Sequence, residues 1–168
     1  CARRLLRWGW ASRRAAHRVS PAALAAALAA ATEQLQDVAG VAGEGLPQPE
    51  LNDVYLPAGE HEGWPRFESG QGKHLYYLVK LKLWLVRDEF DADAENAWAH
   101  VQAEDGLLPT GKSEWADGDE VQVTLLPSTE DVAEQTERLE AEKVAAEAAA
   151  LAAATEQLQG VAGVAVEG

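Results

Sequence analysis

The chain has 168 residues, enough for one ordinary domain or a small domain with appendages. Its net charge of −14 is unevenly placed: residues 1–32 carry six arginines and no acid, whereas residues 33–168 carry eight Lys or Arg against 28 Asp or Glu. Such an acidic body excludes nucleic acid as its partner, because phosphate binding needs clustered cations, and it suits partners with basic surfaces.

Residues 1–20, CARRLLRWGWASRRAAHRVS, are Arg-rich and acid-free, the composition of an organelle transit sequence. At helical spacing Arg3, Arg7, Arg14 and Arg18 share one face, with Leu5, Trp8, Ala16 and Val19 largely opposite. Two readings stand side by side: a docking helix for an anionic membrane surface or an acidic partner, and an ordinary surface helix packed on its own module. The sequence leaves the compartment open between an organelle, the plastid, and the cytoplasm. The lone Cys1 cannot form an internal disulfide, and the lack of any methionine leads us to expect a processed product or a piece of something longer. No run of 18 apolar residues occurs, so no membrane-spanning helix is expected.

Ser20-Pro21 reads as a helix start, with Ser as N-cap and Pro at the first helical position, where its missing N–H costs nothing. The helix is predicted over 21–38 and is ended by Gly40, Gly43 and Gly45. Leu24, Leu28 and Leu35 fall on one face with alanines between them, a narrow, shallow stripe suited to close approach of another Ala-rich helix more than to burial under a sheet. Residues 46–50, LPQPE, read as a stiff extended linker.

From 51 the texture changes to short alternating runs separated by turn residues. Strands are predicted at 52–56, 64–69, 74–79, 81–87, 96–102 and 121–125, with turns at 57–59, 70–72, 91–95 and 117–119. The predicted fold class is α+β: a small antiparallel β meander or partly open barrel over 51–127, flanked on both sides by Ala-rich helices. Trp64, Trp84, Trp98 and Trp115 sit in this module with Tyr55, Tyr76, Tyr77, Phe67 and Phe90. They supply the core that so short a module needs; the alternative use is a stacking groove for carbohydrate, peptide or pigment rings.

Ser128 caps the last helix, predicted over 128–160, with acids in the first turn where the helix dipole favours them. Its first half is charged. Val144, Leu151 and Leu158 are spaced seven apart in its second half. That second half, with the tail at 161–168, repeats the first helix. Residues 22–45 and 145–168 agree at 21 of 24 positions, the exceptions being Leu24/Glu147, Asp37/Gly160 and Gly43/Val166. The simplest reading is a tandem array of helix, compact module and the same helix again.

No catalytic pattern matches this repeat in strength. His17, His61, His74 and His100 form no spaced ligand pairs, and Gly40-Val-Ala-Gly43 lacks the Lys and Ser/Thr of a phosphate loop. The run 88–95, DEFDADAE, offers alternating acids for Ca2+ but lacks the mid-loop Gly and distal Glu of an EF-hand, so a solvated acidic hairpin tip is the plainer reading.

The run from Leu51 to Phe67 resembles a short aromatic-rich module repeated in many proteins of algae and other protists. Asn52, Tyr55, Gly59, Glu60, Gly63, Pro65, Phe67, Leu75-Tyr76, Trp84, Leu85, Trp98-Ala99, Pro109, Trp115 and Pro127 match its outline; Asp53 stands where glycine is usual. The resemblance covers about 75 residues, the span already read here as β-rich. It implies a small interaction module, often in arrays, and carries no catalytic residues. Together these features lead to the expectation of a non-enzymatic scaffold or linker subunit, without cofactor or metal, bridging other protein subunits of a larger assembly. An algal setting suggests a photosynthetic supercomplex as host. The residues expected to touch partners are Arg3, Arg7, Arg14, Arg18, Leu24, Leu28, Leu35, Leu151 and Leu158. The alternative is a β module that grips carbohydrate or peptide through exposed aromatics.

Overall fold

The structure, a computed structural model, describes residues 20–162. Helix α1 spans Pro21–Leu35, and Ser20 caps it by accepting the Ala23 N–H at 3.1 Å. The helix stops three residues short of the predicted end because the chain turns directly into a strand. That strand, β1 (Gly40–Glu44), occupies the glycine-rich stretch expected to end the helix. Gly-Val-Ala-Gly has poor intrinsic strand preference, so its conformation is imposed by its neighbours. A Cβ on Gly40 would lie 2.9 Å from the Val132 side chain, so glycine is what lets the last helix approach this strand.

Seven further strands follow: β2 (Asp53–His61), β3 (Trp64–Ser69), β4 (His74–Leu78), β5 (Leu83–Arg87), β6 (Ala99–Gln102), β7 (Gly111–Glu114) and β8 (Glu120–Leu126). They form one antiparallel sheet in the order β6-β5-β4-β3-β2-β1-β8-β7, curled into a nearly closed barrel. The chain runs as a meander from β1 to β6, and β8 returns to pair with β1 from Gly40↔Leu126 to Glu44↔Gln122. The first and last strands are therefore neighbours, and β1 carries the sheet between its two halves.

The predicted turn at 57–59 is not a turn. Strand β2 runs through Pro57 with a register shift between Pro57 and Glu60, a bulge of the kind that tolerates proline within a sheet. Arg66 donates to the Ala58 carbonyl there at 2.8 Å. The reversal comes instead at Glu62-Gly63, both with positive φ (50° and 83°), the geometry of a two-residue hairpin whose twist matches the flanking strands. Strand β6 starts three residues later than expected, and β7, with only Lys, Ser and Glu after its glycine, has no apolar alternation to announce it.

The interior is aromatic. Trp64, Trp84, Tyr55 and Phe67 are almost fully buried there and Trp115 is 4 % exposed, while Tyr76 is buried in a separate cluster with Leu78, Leu85 and Ala94. The Trp64 and Tyr77 ring centroids lie 4.2 Å apart, and those of Tyr77 and Trp84 5.6 Å apart. Segment 103–110 joins β6 to β7 and serves these rings: the Ala103 carbonyl accepts from the Tyr77 hydroxyl at 2.8 Å and the Gly106 carbonyl from Trp84 Nε1 at 3.0 Å. Helix α1 packs Ala31 and Leu35 into the same core.

Helix α2 spans Thr129–Ala162, a rod of about 50 Å. Ser128 Oγ accepts the Asp131 N–H at 3.1 Å, and the Asp131 carboxylate accepts the Ser128 N–H at 3.2 Å, a reciprocal cap. Val132 and Leu139 pack on Ala42, Val54 and Leu126. Alternation along β1 thus divides its residues, Val41 entering the aromatic core and Ala42 meeting α2.

Candidate interaction surfaces

The two copies of the repeated segment have different fates. In α1 the seam residues are used by the chain itself. Ala31 is 0 % exposed and Leu35 4 %, and both lie in the aromatic core, with Ala27 and Leu28 packed beside them. Leu28 rests over the β2–β3 hairpin, where a Cβ on Gly63 would come within 3.3 Å of it. Gln34 latches the helix down: its Nε2 donates to the Leu108 carbonyl at 2.9 Å and its Oε1 accepts the Leu108 N–H at 3.0 Å. A single side-chain amide thereby pairs with both backbone groups of one residue, as a neighbouring strand would.

In α2 the first half is seated and the second is not. Arg138 pairs with Glu44 at 2.7 Å, Gln135 donates to the same carboxylate at 3.1 Å, and Lys143 reaches the buried Asp53 at 3.8 Å. Beyond Lys143 the helix leaves the barrel, and Val144, Leu151 and Leu158 are 66 %, 70 % and 72 % exposed. Of the expected contact residues, Leu35 is buried in the chain's own barrel and Leu28 packs partly buried beside it, so this face lies on the sheet and not, as expected, against another Ala-rich helix, because the open side of the aromatic core is what it covers. Leu24 is half-buried to exposed on α1, and Leu151 and Leu158 are open. Arg3, Arg7, Arg14 and Arg18 lie outside the described residues. The Gln34 latch went unread in the sequence; its one signal was a polar residue at a seam position, three after Ala31.

The barrel holds Trp64, Trp84 and Trp115 inside and seats Trp98 on its rim, where Trp98 Nε1 donates to Asp88 at 2.9 Å. That hydrogen bond holds the Asp88 carboxyl below the usual carboxylate range. Among the described residues Phe90 is the large aromatic left exposed; Arg66 lies 4.7 Å over its ring, and its faces and edges are taken by His61, His74 and Tyr76. The acidic run folds back on itself. Asp91 Oδ1 accepts the Asp93 N–H at 2.9 Å and Oδ2 meets Arg87 at 3.2 Å, which together keep the Asp91 pKa low, and Asp93 pairs with Lys80. Its oxygens answer protein donors, and among the described residues no three His, Cys, Asp or Glu side chains are placed to hold a metal ion.

An open, mainly apolar groove of about 490 Å3 lies between the β4–β5 hairpin and the 88–98 loop, lined by Leu78, Leu81, Leu83, Leu85, Ala94 and His100 among others. Lys80, Glu95 and Asn96 add polar groups to its edge. No helix among the described residues is long and apolar enough to cross a membrane. No family model, curated protein or solved structure matches the chain.

Proposed function

We propose that this chain is a non-catalytic scaffold subunit that bridges proteins in a larger assembly. The observation that carries the reading is the overhang of α2: a helix anchored by its first half, with an apolar stripe at 66–72 % exposure along its second. Isolated surface apolar residues need no explanation, but a row of three at seven-residue spacing on a rigid rod is the pattern of an interface waiting for its other side. The anchoring is polar and specific, through Glu44 and Asp53 on the first strands, so the rod's direction relative to the barrel is set. The resemblance to modules that recur in arrays supports the same reading and proposes an algal photosynthetic supercomplex as host.

The competing use of the barrel as a stacking groove finds less support, because three of the four tryptophans are buried as core. The test of the scaffold reading is the native size of the chain in extracts of its source cells. The native chain should migrate within an assembly much larger than 18.0 kDa, and Leu151→Glu with Leu158→Glu should release it. Migration of the native chain as a free monomer would refute the proposal.

A further inference from the structure

The exposed half of α2 is not merely apolar; it is a second copy of a helix whose partner is visible in the same structure. The residues by which α1 holds its barrel are Ala27, Leu28, Ala31, Gln34 and Leu35. At the fixed offset of 123 these become Ala150, Leu151, Ala154, Gln157 and Leu158, every one identical. The departures in the helical part fall elsewhere. Leu24, replaced by Glu147 in the second copy, is 38 % exposed on α1, and Asp37, replaced by Gly160, is exposed after α1 has ended. Seat and latch are thus kept: on the helix the changes fall at the uncovered end of the same face and beyond the end of α1, and the third departure puts Val166 where β1 has the buried Gly43, a position at which a Cβ would lie 3.1 Å from the Leu46 side chain.

We propose that the distal half of α2 is the lid of a second β barrel of this same kind, one that draws its opening helix from residues 145–158 in place of an α1 of its own. Leu158 enters that barrel's aromatic core as Leu35 enters this one. Ala154 and Ala150 give the close approach that Ala31 and Ala27 give here. Gln157 pairs with both backbone groups of the residue corresponding to Leu108. The sequence continues the copy with one change: residues 163–167 read GVAVE where β1 reads GVAGE, so in the second barrel this segment would supply the counterpart of β1, with Val166 at the place of Gly43. One continuous helix then serves two barrels. Its half up to Lys143 is pinned to the first, and its half from Ala145 closes the second. Leu139 and Leu158, each buried in its own barrel, are separated along the axis by about 28 Å, close to the diameter of a small domain, so neighbours stand side by side without a flexible joint.

The inference gives the scaffold reading its partner, and it is tested separately. Residues 46–144 are fused directly after Gly168 of the full chain, so that the added barrel has no opening helix or first strand except 145–168. A control fusion adds residues 21–144, whose barrel brings its own. Unfolding in urea is followed by tryptophan fluorescence. In the first fusion the added barrel is expected to fold, giving about twice the buried-tryptophan signal of the single chain. Leu158→Glu should then abolish the second barrel's share while leaving the first, although the same change is silent in the 168-residue chain. Leu35→Glu should do the reverse. If the control folds and the first fusion does not, or if the added barrel folds and ignores Leu158→Glu, the inference is overturned. Either result leaves the native-size test of the scaffold reading untouched.

Discussion

Leu35 and Leu158 are the same residue in the same local word, TEQLQ, on the same kind of helix, yet one is 4 % exposed and the other 72 %. Substituting alanine at each therefore separates burial from everything local. At Leu35 three side-chain carbons leave the core, about 2.4 kcal/mol at ~0.8 kcal/mol each. The surrounding rings are stiff and will not close the space, so the cavity lifts the loss toward about 3–4 kcal/mol. For a domain this size that is a large part of a total stability of roughly 5–15 kcal/mol. With a urea m-value of about 2 kcal/mol/M, the midpoint falls by about 1.5–2 M. At Leu158 no buried contact is lost and Leu and Ala have similar helix propensity, so the change stays within about 0.5 kcal/mol. Trp64, Trp84 and Trp115 report the transition by fluorescence. If Leu35→Ala costs under 1 kcal/mol, α1 does not seal the barrel; if Leu158→Ala costs above 2 kcal/mol in the monomer, the overhang is packed on something in its own chain and the account of α2 is wrong.

Gly106 has φ +74°, and a Cβ there would sit 2.2 Å from the Trp64 ring, so Gly106→Ala should lower stability by about 3 kcal/mol or more, read as a fall in melting temperature, whereas Gly59→Ala, with positive φ but open space, should cost only about 1–2 kcal/mol. Burial pushes the Tyr77 phenol up to about 12 from 10.0, with the Glu104 and Asp105 charges adding to it. A raised folded pKa means that the phenol's contribution to stability is complete below pH 10 and is lost as the pH rises toward 12, so absorbance at 295 nm should show Tyr77 ionising late and together with unfolding. Lys143 and Asp53 form a largely buried pair at 3.8 Å; Lys143→Ala should cost about 3 kcal/mol by leaving the carboxylate without its cation, and adding Asp53→Asn should return most of it, as a double-mutant cycle in urea would show.

What the sequence made legible is what period and cap chemistry announce. Strand β3 matches its predicted limits, and β4, β5 and β8 lie within two residues of theirs, because Leu, Tyr, Trp and Val alternate there. Both helices start at their predicted caps, Ser20 and Ser128, since a hydroxyl before a Pro or an acidic turn has few other uses. The missed strands, β1 and β7, carry little apolar alternation; their place comes from pairing with β8 on either side, which no local pattern encodes. The turn expected at Pro57-Ala58-Gly59 became a bulge because the partner strand β3 continues past it to Trp64. The interaction surface is half legible: spacing marks Leu151 and Leu158, but only the three-dimensional seat of α1 shows that Leu35 and, in part, Leu28 are already covered while Leu24 is not.

The two halves of α2 carry different chemistry, and the difference fits the tasks proposed for them. The proximal seam is a mixture of Val132 and Leu139 with charge pairs to Glu44 and Asp53, which fix direction and register as much as they stabilise. The distal seam is leucine, alanine and one glutamine, the composition that α1 uses to lie almost flush on a barrel. A segment meant only to stay in water has no reason to keep a buried helix's alanines and its latch while turning to glutamate at the uncovered end of the same face. Glu147 lowers exposed apolar area at a position where α1 itself leaves Leu24 partly uncovered, so that substitution improves solubility without touching the five residues of the seat. Retention of the helix's contact residues, Ala150, Leu151, Ala154, Gln157 and Leu158, is what a packing partner of the same shape as the barrel already present would require.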